Sequence, residues 1–320
     1  MADDDYVELP IGEGIKFRDA LTLGHLAMEL RRRRGEIALV HFYSTKLVLL
    51  GPLIAAFAGV PSIVTVTGFG RLFSDDLPHY RIARTIYWVI FRATVSLARR
   101  VLFQNRGDLE TTVVRLPMLA EKARYIGSAS SIPISSDPAA VTDRLQVIHV
   151  ARLLPSKGIA DFVRVAEALH DQADFILVGG PSNDYPAMLR LVTDAHARGV
   201  LTYLGRLDPD TLTEVYDSVH VILFPSYGEG MARVMLEAGL RGLCPVAYDI
   251  PANRDLVLNG NGFLLPLGDT DGACRTIARL VRDRELLTTT AKAYHEHVVQ
   301  EFTMEPFAKR LDAILSEVIQ

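Results

Sequence analysis

A chain of 320 residues is too long for one ordinary small domain and fits two of roughly 100–200 residues each. Hydrophobic residues make up 49% and charged ones 22%, which excludes a disordered chain. The formal charge of -4 speaks against general nucleic-acid binding, which draws its affinity from cations that neutralise phosphates, and two cysteines, Cys244 and Cys274, make neither a metal pattern nor a disulfide framework.

In chain order, the opening MADDDYVELP has no basic-then-apolar export signal, so a cytoplasmic location is expected. A basic run comes next at Arg31 to Arg34, and Arg81, Arg84, Arg92, Arg99 and Arg100 make the first half basic. Two readings stand: a solvated helix face, or a surface for an anionic partner such as a membrane or a phosphorylated lipid. From Leu47 to Gly70 no residue is charged, the length of a membrane span, but Pro52, Gly59 and Pro61 interrupt it. The stretch is predicted as a buried helix, Thr45 to Ala58, a turn, and a buried strand, Ser62 to Thr67.

Apolar runs at 37–41, 62–67, 100–105, 146–151, 174–180, 221–225 and 244–249 read as buried strands, separated by segments of helical period such as Asp161 to His170 and Ala187 to Arg198. Strand, helix, strand in repetition is the pattern of a parallel sheet covered on both faces. The rhythm breaks at GSASSIPISSDPAA (127–140), read as a linker between an N-terminal α/β domain, 1–141, and a C-terminal one, 142–320. In such doubly wound domains ligands bind beyond the carboxyl ends of the strands. The apolar spacing of MEPFAKRLDAILSEVI (304–319) predicts a final helix.

Two strand ends carry chemistry. In PSYGEGMARVMLEAGLRG (225–242), Glu229 precedes a helix expected to begin near Gly230, with Glu237 two turns on. The helix start offers free N–H groups to an anion, and a carboxylate beside it can accept hydrogen bonds from vicinal hydroxyls. In HVARLLPSKGI (149–159), Arg152 and Lys157 bracket a turn and suit a diphosphate. Each feature alone is more often a solvated loop or surface acid; their shared sheet edge gives them weight.

Together A-R-x-x-x-x-K-G, F-I-L-V-G-G, Y-L-G-R, F-P-S-Y-G-E-G-M-A-R-V-M-L-E-A and NGNGFLLP resemble retaining glycosyltransferase family 4, of the GT-B fold: two Rossmann-like domains facing across a cleft. VHFYSTKLVLLGPLIAAFAGVPSIVTVTGFG (40–70) is similar to bacterial members that extend polyprenyl-diphosphate-linked oligosaccharides. The resemblance implies a metal-independent transferase that moves a sugar from a nucleoside diphosphate, with uridine as the base, to a lipid-linked or saccharide acceptor. No cofactor is implied besides the nucleotide sugar. Arg152 and Lys157 match the diphosphate cations, Glu237 the acid that holds the ribose, and Glu229 the acid beside the donor sugar. Gly228 and Gly230 match the glycines where backbone approaches the sugar, Met231 and Ala232 the N–H donors there, and Leu207 the contact to the base. In this architecture the last helix crosses back onto the first domain. A lipid-linked acceptor, with the arginines and with Tyr87, Trp88 and Phe91, raises the expectation of a peripheral protein on the inner face of the plasma membrane.

The chain departs from the family pattern in two places. Its opening resembles a region downstream of the family's first strand and glycine-rich loop, so the N-terminal domain is expected to be incomplete. At the end of the strand 62–67, where many members have a catalytic histidine, stands Thr67; His41, at the end of the preceding strand, is a candidate for positioning the acceptor, although a lone histidine at a strand end is more often structural. Asp208-Pro209-Asp210 spells a metal motif but falls in a turn and is read as no metal site. His149, inside an apolar strand, is read as packed. The competing function is a non-catalytic nucleotide-sugar-binding relative that serves as a subunit or scaffold.

Overall fold

The computed structural model describes residues 17–69, 78–135 and 144–319. The acidic opening and the 141/142 boundary lie outside the described residues.

The first half alternates α1 (Phe17–Arg32), β1 (Val40–Phe42), α2 (Thr45–Ala58), β2 (Ser62–Val66), α3 (Pro78–Val95), β3 (Arg100–Phe103), α4 (Arg106–Arg115) and β4 (Ala123–Tyr125). Its strands form a parallel sheet in the order β1-β2-β3-β4. The second half runs β5 (Leu145–Val150), α5 (Ile159–Leu169), β6 (Ala173–Val178), α6 (Pro186–Ala197), β7 (Thr202–Gly205), α7 (Pro209–Tyr216), β8 (Val221–Phe224), α8 (Arg233–Leu240), β9 (Cys244–Tyr248), α9 (Pro251–Arg254) and β10 (Phe263–Leu265), then α10 (Thr270–Arg282), α11 (Arg284–Phe302) and α12 (Met304–Ile319). Its sheet is parallel in the order β10-β9-β8-β5-β6-β7. From β5 the chain winds one way to β7, then returns to the other side of β5 for β8 to β10. The switch point, where loops part and leave a crevice, therefore lies between the carboxyl ends of β5 and β8.

The uncharged stretch after Leu47 resolves as the breaker residues dictate. Helix α2 ends on Gly59 at φ 74°, a left-handed position that only glycine takes without strain, and the chain enters a fully buried β2. No described helix is long and apolar enough to cross a membrane. The predicted strand at 37–41 begins only at Val40, because the Ile37 N–H still bonds to the Arg33 carbonyl. Strands β4, β7 and β10 were not predicted; each is only three or four residues long and mostly half-buried or exposed.

In the first sheet the face that carries Phe42, Val64, Val66 and Phe103 packs against α2 and α3, where Tyr87, Trp88 and Phe91 are buried. Those aromatics belong to the core and not to a membrane surface. The opposite face, with Ile63 and Leu102, is covered by Ile314 and Val318 of α12. Each such side chain contributes about 1.5–3 kcal/mol by leaving water. Arg99 bonds the Val318 carbonyl, Arg100 and Arg124 pair with Glu317 at 3.2 Å, and Arg310 Nε donates to the Ile126 carbonyl at 2.9 Å. Arg99 and Arg100 are thereby drawn into this seam and away from any free basic face. The segment 127–135 has neither helix nor strand, and its Ser130 and Ser135 N–H groups bond the carbonyls of Phe302 and Leu240.

Candidate functional site

The two loops that flank the switch point are fastened to each other. After β5 the chain makes a tight turn, Pro155–Lys157, and leaves it at Gly158 with φ 68°. A Cβ at Gly158 would lie 2.0 Å from the Pro225 carbonyl oxygen, so glycine alone lets this turn rest on the end of β8. The Tyr227 N–H donates to the Ser156 carbonyl at 3.0 Å. Beneath the turn, His149 Nε2 donates to the Lys157 carbonyl at 2.9 Å. Burial lowers the His149 pKa to about 4, so the ring is neutral at pH 7; it is packed, as read, and also props the turn.

This fastening brings Lys157 Nζ to 2.5 Å from Glu229 Oε1, with 19% and 16% of the two side chains exposed. Ser226 Oγ donates to the same oxygen at 2.9 Å. Both bonds fall on Oε1, so Oε2 is left to accept from a ligand. The arrangement is a partly desolvated cation held at a crevice mouth by a carboxylate with spare hydrogen-bonding capacity.

Helix α8 begins at Arg233, not near Gly230, because the Gly-Met-Ala segment before it runs as loop. Glu237 is therefore one turn into the helix instead of two. Burial raises its pKa, opposed by Arg233 and by the Tyr216 hydroxyl 3.5 Å from Oε2. No side chain caps α8, and Met231 and Ala232 just before it are buried, so its first N–H groups are not spent on a cap. Arg152 is exposed, and Leu207 is half-buried against the cluster that contains Ile148 and Phe224. Asp208 caps α7, accepting from the N–H groups of Asp210 and Thr211 at 3.1 and 3.0 Å. His41 stands apart on the first sheet, its Nε2 2.7 Å from Thr65 Oγ1 and its ring 4.0 Å from that of Tyr43. Burial lowers its pKa to about 4. Close by, Ser44 is the one non-glycine residue with positive φ, 74°, among the described residues, a strained start to α2.

Sequence reasoning missed three features. Buried Asp161 accepts from the hydroxyls of Tyr227 at 2.6 Å and Tyr248 at 2.9 Å, tying the Glu229 loop to α5 and β9. Thr67 and Gly68, after β2, lie against Gly230: a Cβ on Gly230 would fall 1.5 Å from the Thr67 carbonyl oxygen, and one on Gly68 2.1 Å from the Gly230 Cα. The bareness of Gly230 thus serves contact between the two sheets. Asn105, after β3, donates from Nδ2 to the Gly230 carbonyl at 2.7 Å, and next to it the Arg106 N–H donates to Asp255 Oδ2 at 2.7 Å. Polar residues at strand ends were the available signal, though their partners lie over a hundred residues away. The carboxyl ends of the two sheets thus meet at Gly230.

Residues 144–283 match the family described as glycosyl transferases group 1. Among curated proteins, the chain is 26% identical over 317 aligned positions to the UDP-Gal:alpha-D-GlcNAc-diphosphoundecaprenol alpha-1,3-galactosyltransferase of Escherichia coli, covering 93% of this chain and 78% of that one. It is 23% identical over 288 positions to the N,N'-diacetylbacillosaminyl-diphospho-undecaprenol alpha-1,3-N-acetylgalactosaminyltransferase of Campylobacter jejuni, covering 84% and 75%. Among solved structures, HepE of Anabaena in complex with UDP superposes with a TM-score of 0.78 at 18% identity, covering 94% of this chain and 83% of that one. Sucrose-phosphate synthase of Thermosynechococcus elongatus gives 0.78 at 19%, covering 98% and 82%. These two establish the GT-B architecture, and the chain is a glycosyltransferase whose residues 144–283 match the group 1 glycosyl transferases.

Proposed function

We propose that this glycosyltransferase moves a sugar from a UDP-sugar to a polyprenyl-diphosphate-linked saccharide with retention at the anomeric carbon. The observation that carries the reading is the Lys157–Glu229 pair at the switch point of the second sheet. The nucleoside diphosphate lies across that crevice, with Glu237 accepting from the ribose hydroxyls and Leu207 against the uracil. Arg152, exposed and exchangeable, closes over the diphosphate as a planar fork, while Lys157 meets it as a point charge. As the glycosidic bond breaks, these cations neutralise the charge growing on the departing diphosphate. Glu229 holds the donor sugar through Oε2, and the N–H groups of Met231 and Ala232, reached past Gly228 and Gly230, take its remaining oxygens. His41, held neutral, positions the acceptor from the first sheet.

The lipid-linked acceptors named for the two bacterial relatives support the acceptor class. Incubation with a panel of UDP-sugars and undecaprenyl-diphosphate-linked GlcNAc tests it, with the anomeric configuration read by NMR. A product of retained configuration is expected; no product with any donor would overturn the reading, as would inversion.

A lipid-linked acceptor places the enzyme at a membrane, and α3 offers the face. Its outward side carries Ile82, Ile86 and Val89, exposed by 68, 54 and 65%, where a solvated helix would be polar. Leu53 and Phe57 are exposed on the adjoining α2, Arg31 lies 5.5 Å over the Phe57 ring, and Arg81 and Arg92 are exposed on α3 itself. Apolar anchors among arginines suit the anionic inner face of the plasma membrane. Flotation with anionic but not neutral vesicles, weakened in Ile86→Glu, is expected; no flotation at low salt would remove the proposal.

A further inference from the structure

Asn105 is fully buried at the end of β3, and its side-chain amide makes three hydrogen bonds. Oδ1 accepts the Asp108 N–H at 2.7 Å and so caps α4. Nδ2 donates to Asp108 Oδ2 at 2.8 Å and, 125 residues away, to the Gly230 carbonyl at 2.7 Å. The cap by itself needs only an acceptor, which serine or aspartate provides equally well. What needs the amide is the pair of donors, one of which crosses to the other half of the molecule. Gly230 is the residue after Glu229, and without a Cβ it has the most backbone freedom to lose. It is gripped from one side by Thr67 and Gly68 and on its carbonyl by Asn105. The same corner of chain presses on the second half again, where a Cβ on Gly107 would meet Pro251 Cβ at 2.6 Å.

We infer that Asn105 is a positioning residue for the loop that carries Glu229, so that the carboxylate is correctly placed only when the two sheets close on Gly230. The inference rests on Glu229 as the donor-sugar acid. The Lys157 turn is fastened within its own half by His149, Ser156 and Gly158, and the near end of the Glu229 loop is tied there too through Tyr227; its far end, at Gly230, is the part held from the other half. Closure would then order the sugar end of the donor site while leaving the nucleotide end unchanged.

Asn105→Ser separates the two duties of the amide, since serine caps α4 but is too short to reach Gly230. The full chain is compared with this variant by hydrogen exchange of the 227–233 backbone and by turnover of the UDP-sugar. In the variant the loop is expected to exchange about tenfold faster while α4 keeps its protection. Turnover is expected to drop about tenfold in kcat with the UDP Kd changed less than about threefold. Asn105→Thr, which keeps a capping oxygen and is likewise too short to reach Gly230, should behave alike. Unchanged exchange in the loop would overturn the inference, as would lost protection confined to α4, which marks a cap and nothing more. Failure of the wild type to bind UDP would instead contradict the donor reading, and loop exchange would still decide the role of Asn105.

Discussion

The two strand edges that meet at Gly230 are chemically unlike. The edge of the second sheet carries Arg152, Lys157, Glu229 and Glu237, and two of these are already paired at 2.5 Å. The edge of the first sheet brings Thr67, Gly68 and Asn105, with His41 held neutral by burial. One side is therefore charged, and the other supplies shape and neutral hydrogen bonds. Such a division suits a donor whose charge sits entirely on its diphosphate, because no second set of charges competes for the cations. It also separates two means of order: the cationic turn is held wholly in its own domain, whereas the acidic loop, tied there at Tyr227, is braced at Gly230 from across the cleft as well.

Breaking the contact between the edges should have the largest effect. In Gly230→Ala the new methyl would lie 1.5 Å from the Thr67 carbonyl oxygen and force the sheets apart. A displacement of that order at a reacting centre costs about 100-fold, read as kcat/KM for the UDP-sugar. Removing the charge on one edge comes next. Lys157→Ala deletes a charge-assisted bond worth about 1.5–3 kcal/mol, so UDP should bind roughly 10–100-fold more weakly by calorimetry.

The neutral edge also has a pH signature. Burial lifts Asp108, beside Asn105, from 3.8 to about 6, with Asp255 adding to the rise and the Asn105 hydrogen bond opposing it. The folded protein thus holds this proton more tightly than the unfolded chain. The group favours folding most below about pH 4 and loses that contribution as pH rises to about 6. Between pH 4 and 7, denaturation midpoints of Asp108→Asn should gain on those of the wild type by about 2–3 kcal/mol. The smallest effect belongs to the brace inside the charged edge. Tyr227→Phe removes one hydrogen bond to Asp161 and should lower stability by about 1 kcal/mol in urea unfolding.

The architecture was largely legible because buried parallel strands are continuous apolar runs, and helix 45–58 was bounded correctly because Gly59 can stop a helix where few other residues can. Strands β4, β7 and β10 were not, because they are only partly buried and, at three or four residues, too short to give a readable pattern. The proximity of Lys157 and Glu229 was legible from their places after strands of one sheet. The start of α8 was misjudged by three residues, since nothing in Gly-Met-Ala distinguishes loop from first turn. Asn105 escaped notice because a polar residue before a helix reads as a cap, which it is, and the second bond depends on a fold-level contact that no local pattern carries.

The central claim, that the crevice between β5 and β8 holds a nucleotide sugar for transfer, is tested most directly by calorimetry of the purified chain with UDP and a panel of UDP-sugars, repeated on Glu237→Ala and Lys157→Ala. Binding by the wild type that is weakened about tenfold or more in both variants, with slow release of UDP from one donor sugar, is the predicted result. Binding without release from any UDP-sugar or onto any acceptor would favour a non-catalytic scaffold, and binding unaffected by either substitution would contradict the site.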